Sequence, residues 1–515
     1  MKLGQLHIGE ADATDEVNSE IDFSQLFYTK NNKYQELLKP ITFTIAGRKG
    51  TGKSLLALYY QKENHSKKNR HIVYYKKFKR IQDDEAEEFS NNIENLEVRA
   101  HFQRYFLLTS ILGALIKESS VLTYSEFKNE SDSLFKYIDY LGYKKVIKKI
   151  NDYSFFKDSK NERKGVYSSH SESTRKTSNI KAKGTNQKGS LELGSNQESD
   201  INYQFTKSSY AINLKYLESL MEEALHYVSI ELFLDDLDEV LGFNKEQLPE
   251  YLSNLLENIK DLNDYIKTID KRSRIVAVIR EDLLKETDAM VPNLGKKLTG
   301  GQVSINWTNG HNKEELEALI FYKIQQSVRM ETGVKYTKEE LAEKFFVLSK
   351  NKVKNAPLEK MMENSMGRPR DLVTFINIIC SNYPEHTQIS KKLVNQCLME
   401  YSANLERDLK NELGTHYPKE FVDDAFDILR LIGEIRFTFE EFLEVAKRNY
   451  TYSDEDLKNM LLILFEFSVI GNTVEKKWVP SGQKVTFQYY YSGKIKPNFD
   501  HEFKTHWGLS KALNI

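Results

Sequence analysis

Short apolar runs alternate with amphipathic stretches along the first part of the chain. Residues 41–46 (ITFTIA) are apolar, rich in β-branched residues and end at a glycine, which predicts a buried strand. From Ser54 the segment SLLALYYQKE has helical spacing, residues 98–118 predict a long buried helix, and residues 123–150 predict further helix with a lysine-rich end. SIELFL (229–234) and RIVAVI (274–279) predict a second and a third strand, VSINW (303–307) is a candidate fourth, and a helix is expected over 213–227. Strands separated by helices predict an α/β fold with a parallel sheet. Residues 157–209 are rich in Ser, Lys, Asn and Gly and poor in large apolar residues, which predicts a loop or flexible insertion, with a short hairpin around SLELG. After about residue 310 the pattern is helical to about 413. Residues 417–515 read as three helices followed by two β-rich pieces (KKWVPSGQKVTFQYYY), the order of a winged-helix module. The expected division is an N-terminal segment (1–40), an α/β core (41–308), a helical lid (309–413) and a C-terminal winged-helix domain (414–515).

A chain of 515 residues is long enough for several domains, at roughly 100–200 residues each. The 74 Lys+Arg against 75 Asp+Glu argue against coating nucleic acid by bulk charge. The near-neutral total hides local runs: seven basic residues and no acid over 64–80, then seven acids and no base over 81–97. These read as solvated faces that partly neutralise each other, or as lysines and arginines that touch phosphates. Two cysteines, Cys380 and Cys397, exclude a disulfide-stapled fold and a cysteine-rich zinc site, and a cytoplasmic setting follows most simply. The opening residues lack the apolar core and cleavage site of a signal peptide, and no run approaches the length needed to span a bilayer, so no membrane partner is expected.

The segment Gly47-Arg48-Lys49-Gly50-Thr51-Gly52-Lys53-Ser54 fits the phosphate-loop pattern G-x-x-x-x-G-K-[ST], with a strand before it and a helix after it. Glycines let the backbone wrap tightly so that successive N–H groups face an anion, and the helix starting near Lys53 directs its positive end at the same point. Lys53 is then placed to reach the β- and γ-phosphates of ATP and the Ser54 hydroxyl to ligate Mg²⁺. The acidic partner for the metal is expected where SIELFL runs into Asp235-Asp236-Leu237-Asp238-Glu239. Asp235 is assigned to Mg²⁺ and Asp236 to polarising the attacking water, with Asp238 and Glu239 as second choices. Arg280 closes the third strand and either places a polar group near the γ-phosphate or is a surface arginine. Gly367-Arg368-Pro369-Arg370-Asp371 opens a helix, from which Arg370, and with it Arg368, can reach the nucleotide; the alternative is an ordinary capped helix start.

These residues resemble the AAA+ superfamily, especially its origin-recognition-like and STAND branches. The phosphate loop, LFLDDLDE, RIVAVIRED and GRPRD occur in that family's order, followed by the expected lid and winged helix. The DDLD form is also similar to the KAP-type ATPases. The whole chain resembles a group of bacterial P-loop ATPases with GRKGTGKS, GRPRD and an ending like His506-Trp507-Gly508-Leu509-Ser510-Lys511-Ala512-Leu513, often encoded in anti-phage loci. The resemblance implies an ATPase with Asp235 in the metal role, Asp236 at the catalytic acid, Arg280 as first sensor and Arg370 as second. Two departures, Asp236 where the family usually has Glu and Arg280 where it has Asn, Ser or Thr, favour a slow switch over fast hydrolysis. No arginine finger can be assigned.

The expected recognition helix, 454–468, carries Asp454, Glu455, Asp456 and Glu466 against Lys458, which disfavours major-groove reading. The wing is basic and aromatic (Lys476, Lys477, Trp478, Lys484, Tyr489, Tyr490, Tyr491, Lys494, Lys496), which suits either nucleic-acid contact or a partner-docking or intramolecular surface. Three readings follow: an ATP-driven switch or oligomerising motor acting with an effector protein such as a nuclease in anti-phage defence, a DNA-binding ATPase of the origin-recognition or loader type, and a P-loop kinase. The GRPRD turn and the long C-terminal module argue against the third.

Overall fold

The computed structural model describes residues 1–77, 96–119, 122–127, 133–152, 213–237, 248–290, 298, 300–308, 313–348, 355–479, 482–493 and 496–515. The insertion expected at 157–209, most of the acidic run at 81–97, Asp238, Glu239 and Lys494 lie outside these residues. The chain forms two compact units, one of Gln35–Ala46 with Ala57–Val303, the other of Met1–Tyr34, Gly47–Leu56 and Ser304–Ile515.

The first unit is built on a five-stranded sheet of order β2-β3-β4-β1-β5, with β1 at Thr44–Gly47, β2 at His71–Lys77, β3 at Ser229–Asp235, β4 at Arg274–Arg280 and β5 at Gln302–Ile305. This is the expected α/β parallel class, in which β2 pairs with β3 from His71↔Ser229 to Lys77↔Asp235, and β3 with β4 from Glu231↔Arg274 to Asp235↔Val278. All of β3 and six residues of β4 are buried, as strands covered on both faces must be. Around the sheet run α1 (Lys53–Asn64), α2 (Leu96–Ser119), α3 (Ser133–Asp152), a helix over 213–225, α4 (Leu248–Ile269) and α5 (Glu281–Met290). Helix α4 buries Leu252, Leu255, Leu256, Ile259, Leu262 and Ile266 at spacings of three and four, one face of a helix. Its Asn263 exchanges two hydrogen bonds with the Ile275 backbone (2.7 and 2.8 Å), which fixes the helix in register on β4.

Two strand expectations need correction. Strand β1 begins at Thr44, not at residue 41, because the Phe43 and Thr44 N–H groups both donate to one acceptor, the Gly301 carbonyl (2.9 and 3.1 Å), and do not alternate along a ladder. Strand β2 has no counterpart in the sequence reading, which took residues 64–80 as a charged stretch. It is an edge strand. Ile72 and Val73 are buried, while Lys76 lays its ammonium on Ser110 Oγ (3.1 Å) and over the Phe106 ring, contacts that composition hides.

One buried ionic network anchors the segment leading into β1. Arg274 and Glu231 face each other across β4 and β3 at 2.5 Å, and Tyr60 Oη (2.8 Å) and His71 Nε2 (2.9 Å) also meet the Glu231 carboxylate. Burial pushes the carboxyl upward, but His71, Arg274 and Tyr60 hold it below the ordinary range. The Arg274 guanidinium also donates to the carbonyls of Leu37, Lys39 and Thr42 at 2.7–2.9 Å.

The second unit begins, in helical order, with α6 (Glu314–Thr332), α7 (Lys338–Phe345), α8 (Ala356–Asn364), α9 (Pro369–Asn382) and α10 (Lys391–Leu413). The punctuation is local: Gly333 at φ 73° ends α6, a Thr337/Glu340 capping box starts α7, Asn355 caps α8 and Ser390 caps α10. The N-terminal residues belong here, through hydrogen bonds from Leu3 and Gly4 to the 384–386 turn and a buried Lys323–Glu16 pair at 2.8 Å. Then come α11 (Lys419–Ile432), β6 (Arg436–Phe437), α12 (Phe439–Asn449), α13 (Asp454–Glu466), β7 (Ile470–Val479), β8 (Gly482–Gln488) and β9 (Phe503–Thr505), in an antiparallel sheet of order β6-β9-β7-β8. The three expected helices and the hairpin are present; β6 and β9, two and three residues long, were not anticipated. The acids of α13 have a local explanation. Asp456 closes a capping box with Ser453, and Asp454 and Glu455 complement the positive end of the helix.

Candidate nucleotide site

Strand β1 delivers the chain to Gly47 and α1 takes over at Lys53, so residues 47–52 form the turn between them. Gly50 and Gly52 have φ of 80° and 91°, the left-handed region that costs glycine little. A Cβ on Gly47 would lie 2.7 Å from Thr51 Oγ1 and 2.9 Å from the Ile305 carbonyl, so close winding also excludes a side chain there. The turn is tied internally. Thr51 Oγ1 donates to the Arg48 carbonyl (2.8 Å), Lys53 Nζ donates to the same oxygen (3.2 Å), and Trp307 Nε1 donates to the Thr51 carbonyl (2.9 Å). Around Gly52 a Cβ would meet nothing within 4 Å, so there is open space beside the loop there. An open loop of wound backbone, with Lys53 at the helix start and half-buried Ser54 in its first turn, fits a nucleotide phosphate chain and its metal.

The structure separates the two arginines of the GRPRD turn. Gly367 sits at φ 69°, where a Cβ would come within 2.6 Å of Thr308 Cγ2, and Pro369 opens α9. Arg368 turns inward. It is 2% exposed, its Nη2 is 2.8 Å from Asp371 and its Nη1 3.2 Å from Glu412, with the Lys49 carbonyl at 3.4 Å. Burial alone would lower its pKa; the two carboxylates outweigh that and hold it above the ordinary range. Asp371 also accepts the Met366 N–H (2.8 Å), which shapes the turn. Arg370 lies along the loop instead. Its N–H points at the Gly50 carbonyl (3.4 Å), a Cβ on Gly50 would be 3.1 Å from its own, and its guanidinium meets the Ala11 carbonyl (3.0 Å) and Asp12 (3.6 Å). Arg48 donates to the Met366 carbonyl (3.3 Å) and rests over the Tyr491 ring at 5.5 Å; burial, and then Arg368, lower its pKa.

In the other unit, Asp235 and Arg280 close the neighbouring strands β3 and β4. Asp235 is buried, accepts Tyr75 Oη (2.6 Å) and receives the Asp236 N–H (2.9 Å). Asp236 itself has φ 54°, strained for a residue with a side chain, and its carboxylate is 3.3 Å from Lys77 Nζ. Arg280 pairs with Asp282 at 2.6 Å, the third residue of the R-x-D sequence.

Sequence reasoning missed Tyr75, Glu412 and Trp307, each a lone residue far along the chain from its partner. It did single out the run Tyr489–Tyr491 as aromatics of the wing. In the structure Tyr489 packs on His506 and Tyr491 on Arg48, so both are engaged within the chain. On the hairpin itself, Lys477 of β7 is in register with Lys484 of β8. Cys380 and Cys397 are free and buried, the Cys380 thiol pushed up to about 12 by burial. No helix among the described residues is long and apolar enough to cross a membrane.

Residues 314–410, from the first residue of α6 into α10, match the family model of the FunZ-associated C-terminal helical domain. No curated protein matches the chain. Among solved structures it is similar to the Walker-type ATPase PABY2304 of Pyrococcus abyssi (14% identity, 94% of this chain and 97% of that one, TM-score 0.36). It is likewise similar to the ORC2 protein of Aeropyrum pernix in ADPNP–ADP complexes (12%, 96% and 92%, TM-score 0.38) and to Cdc6p of Pyrobaculum aerophilum (10%, 96% and 97%, TM-score 0.31). All three are distant likenesses.

Proposed function

We propose that the chain is a Mg²⁺-dependent ATP-binding ATPase that works as a nucleotide-driven switch. The observation that carries this is the Gly47–Ser54 loop, wound through two left-handed glycines, open beside Gly52 and leading into a helix at Lys53. Lys53 and the loop N–H groups would hold the phosphates, Ser54 and Asp235 the metal, and Asp236 a water; bound Mg²⁺ supplies charge neutralisation at the transferring phosphoryl group. The short Asp236 and the Arg280–Asp282 pair support a slow reaction, one suited to marking states. A role in anti-phage defence, assembly into an oligomer and an effector partner belong to this proposal through the resemblance of the motifs.

The test is a titration of the full chain with ATP, with and without Mg²⁺, alongside release of free phosphate. Tight binding that needs Mg²⁺ and falls by roughly 10–100-fold in Lys53→Ala, as expected for losing a charge-assisted contact, supports the reading. Equal binding by Lys53→Ala refutes it. A phosphorylated small-molecule product in place of free phosphate would identify a kinase.

A further inference from the structure

We infer that Tyr491 is a positioning residue for the phosphate loop, holding Arg48 so that the C-terminal module sets the loop's affinity for nucleotide. The contact joins residues more than four hundred positions apart in one compact unit. The Arg48 guanidinium lies 5.5 Å from the Tyr491 ring centroid, within the range where a ring face attracts a cation. The same residue's carbonyl accepts both Thr51 Oγ1 (2.8 Å) and Lys53 Nζ (3.2 Å). The ring therefore acts on a loop residue whose backbone carbonyl accepts the phosphate-binding lysine.

The charges around Arg48 explain why an aromatic face matters there. Asp371 and Glu412 attract it, but both already pair with Arg368, whose own charge repels Arg48. Among the described residues, the Met366 carbonyl (3.3 Å) and the Tyr491 ring are contacts that the Arg48 guanidinium does make. The ring is itself held from several directions. The Tyr491 backbone N–H donates to Ser468 Oγ (3.1 Å) and its carbonyl accepts Thr308 Oγ1 (3.4 Å), the Tyr489 ring lies nearly parallel to the Tyr491 ring (9°, 5.8 Å), and His506 Nε2 is 3.4 Å from the Tyr491 hydroxyl. Gly367 faces it with no side chain, and a Cβ there would be 3.5 Å from the ring. A platform so fixed pre-organises Arg48, and pre-organisation raises affinity by lowering the ordering cost on binding.

This inference rests on the ATP-binding reading, and the experiment separates the two. Nucleotide affinity is measured by calorimetric titration of ATPγS with Mg²⁺ on the full chain, for wild type, Tyr491→Phe, Tyr491→Leu, Arg48→Met, Arg48→Met with Tyr491→Leu, and Lys53→Ala. Leucine keeps an apolar side chain and removes the aromatic face, and far-UV circular dichroism confirms that each variant is folded. The expected result is binding weakened roughly three- to tenfold by Tyr491→Leu, within about twofold of wild type for Tyr491→Phe, and no further loss from Tyr491→Leu once Arg48 is Met. Wild-type affinity for Tyr491→Leu overturns the inference. So does a Tyr491→Leu effect of the same size with Arg48→Met, which marks a purely structural ring, or a Tyr491→Phe loss as large as that of leucine. Undiminished binding by Lys53→Ala would instead overturn the ATP reading itself.

Discussion

Arg368 offers the sharpest test of how the GRPRD turn works. Its guanidinium is 2% exposed and lies between Asp371 and Glu412, both about as buried. Arg368→Ala would leave two carboxylates in a site that water does not reach, with the Met366 N–H and the Tyr401 side of α10 unable to replace a full positive charge. Removing one partner of a buried ion pair costs about 3–5 kcal/mol, and here two acids lose the same partner, which places the expectation at the upper end. For a unit of this size that corresponds to a fall in melting temperature of roughly 6–20 °C. Scanning calorimetry and urea unfolding measure it directly. Combining Arg368→Met with Asp371→Asn and Glu412→Gln should recover part of the loss, because the stranded charges are then gone. If Arg368→Ala instead melts with the wild type while binding ATP more weakly, the side chain is a nucleotide ligand and its burial has been misread as structural.

Asp235→Asn should abolish the Mg²⁺ dependence of nucleotide binding, and Tyr75→Phe, which removes the hydroxyl 2.6 Å from Asp235, should weaken metal affinity by about 10–100-fold; Mg²⁺ titrations at fixed nucleotide decide both. Lys504 is 8% exposed, and burial, followed by repulsion from Arg436, lowers its pKa to about 8 from the ordinary 10.5. Between these values the unfolded chain binds the extra proton, so stability should rise with pH by on the order of 1–3 kcal/mol, and Lys504→Met should remove that part of the rise, leaving the part owed to Lys313, whose pKa burial likewise lowers to about 8, when urea midpoints at about pH 7.5 and pH 10 are compared. Gly508→Ala would drive a Cβ to 2.2 Å from the Asn364 carbonyl and 2.6 Å from Leu405 Cδ2, and should cost about 1–3 kcal/mol in thermal unfolding; a neutral result would show that the C-terminal 3₁₀ turn is not seated tightly on α8 and α10.

What the amino-acid sequence determined by itself is whatever depends on neighbours along the chain. The phosphate loop was legible because left-handed φ at Gly50 and Gly52 is a local demand that local glycines meet. Strands β3 and β4 were legible as mostly apolar runs, helices α6–α10 as a helical pattern, and Asp235 as the first acid after an apolar run. Tertiary structure alone decided the matters in which the partner is remote. Strand β2 hides behind charged residues, among them Lys76, whose partner side chains, Ser110 and Phe106, come from α2. Two arginines in one five-residue motif take opposite roles because Glu412, on another helix, claims Arg368 and leaves Arg370 beside Gly50. Tyr491 belongs to the phosphate loop only once the chain has folded back to lay its ring against Arg48. Backbone conformation is set over a few residues, but the desolvation and pairing of a charge are set by whatever packs around it, and spacing along the chain carries no record of that.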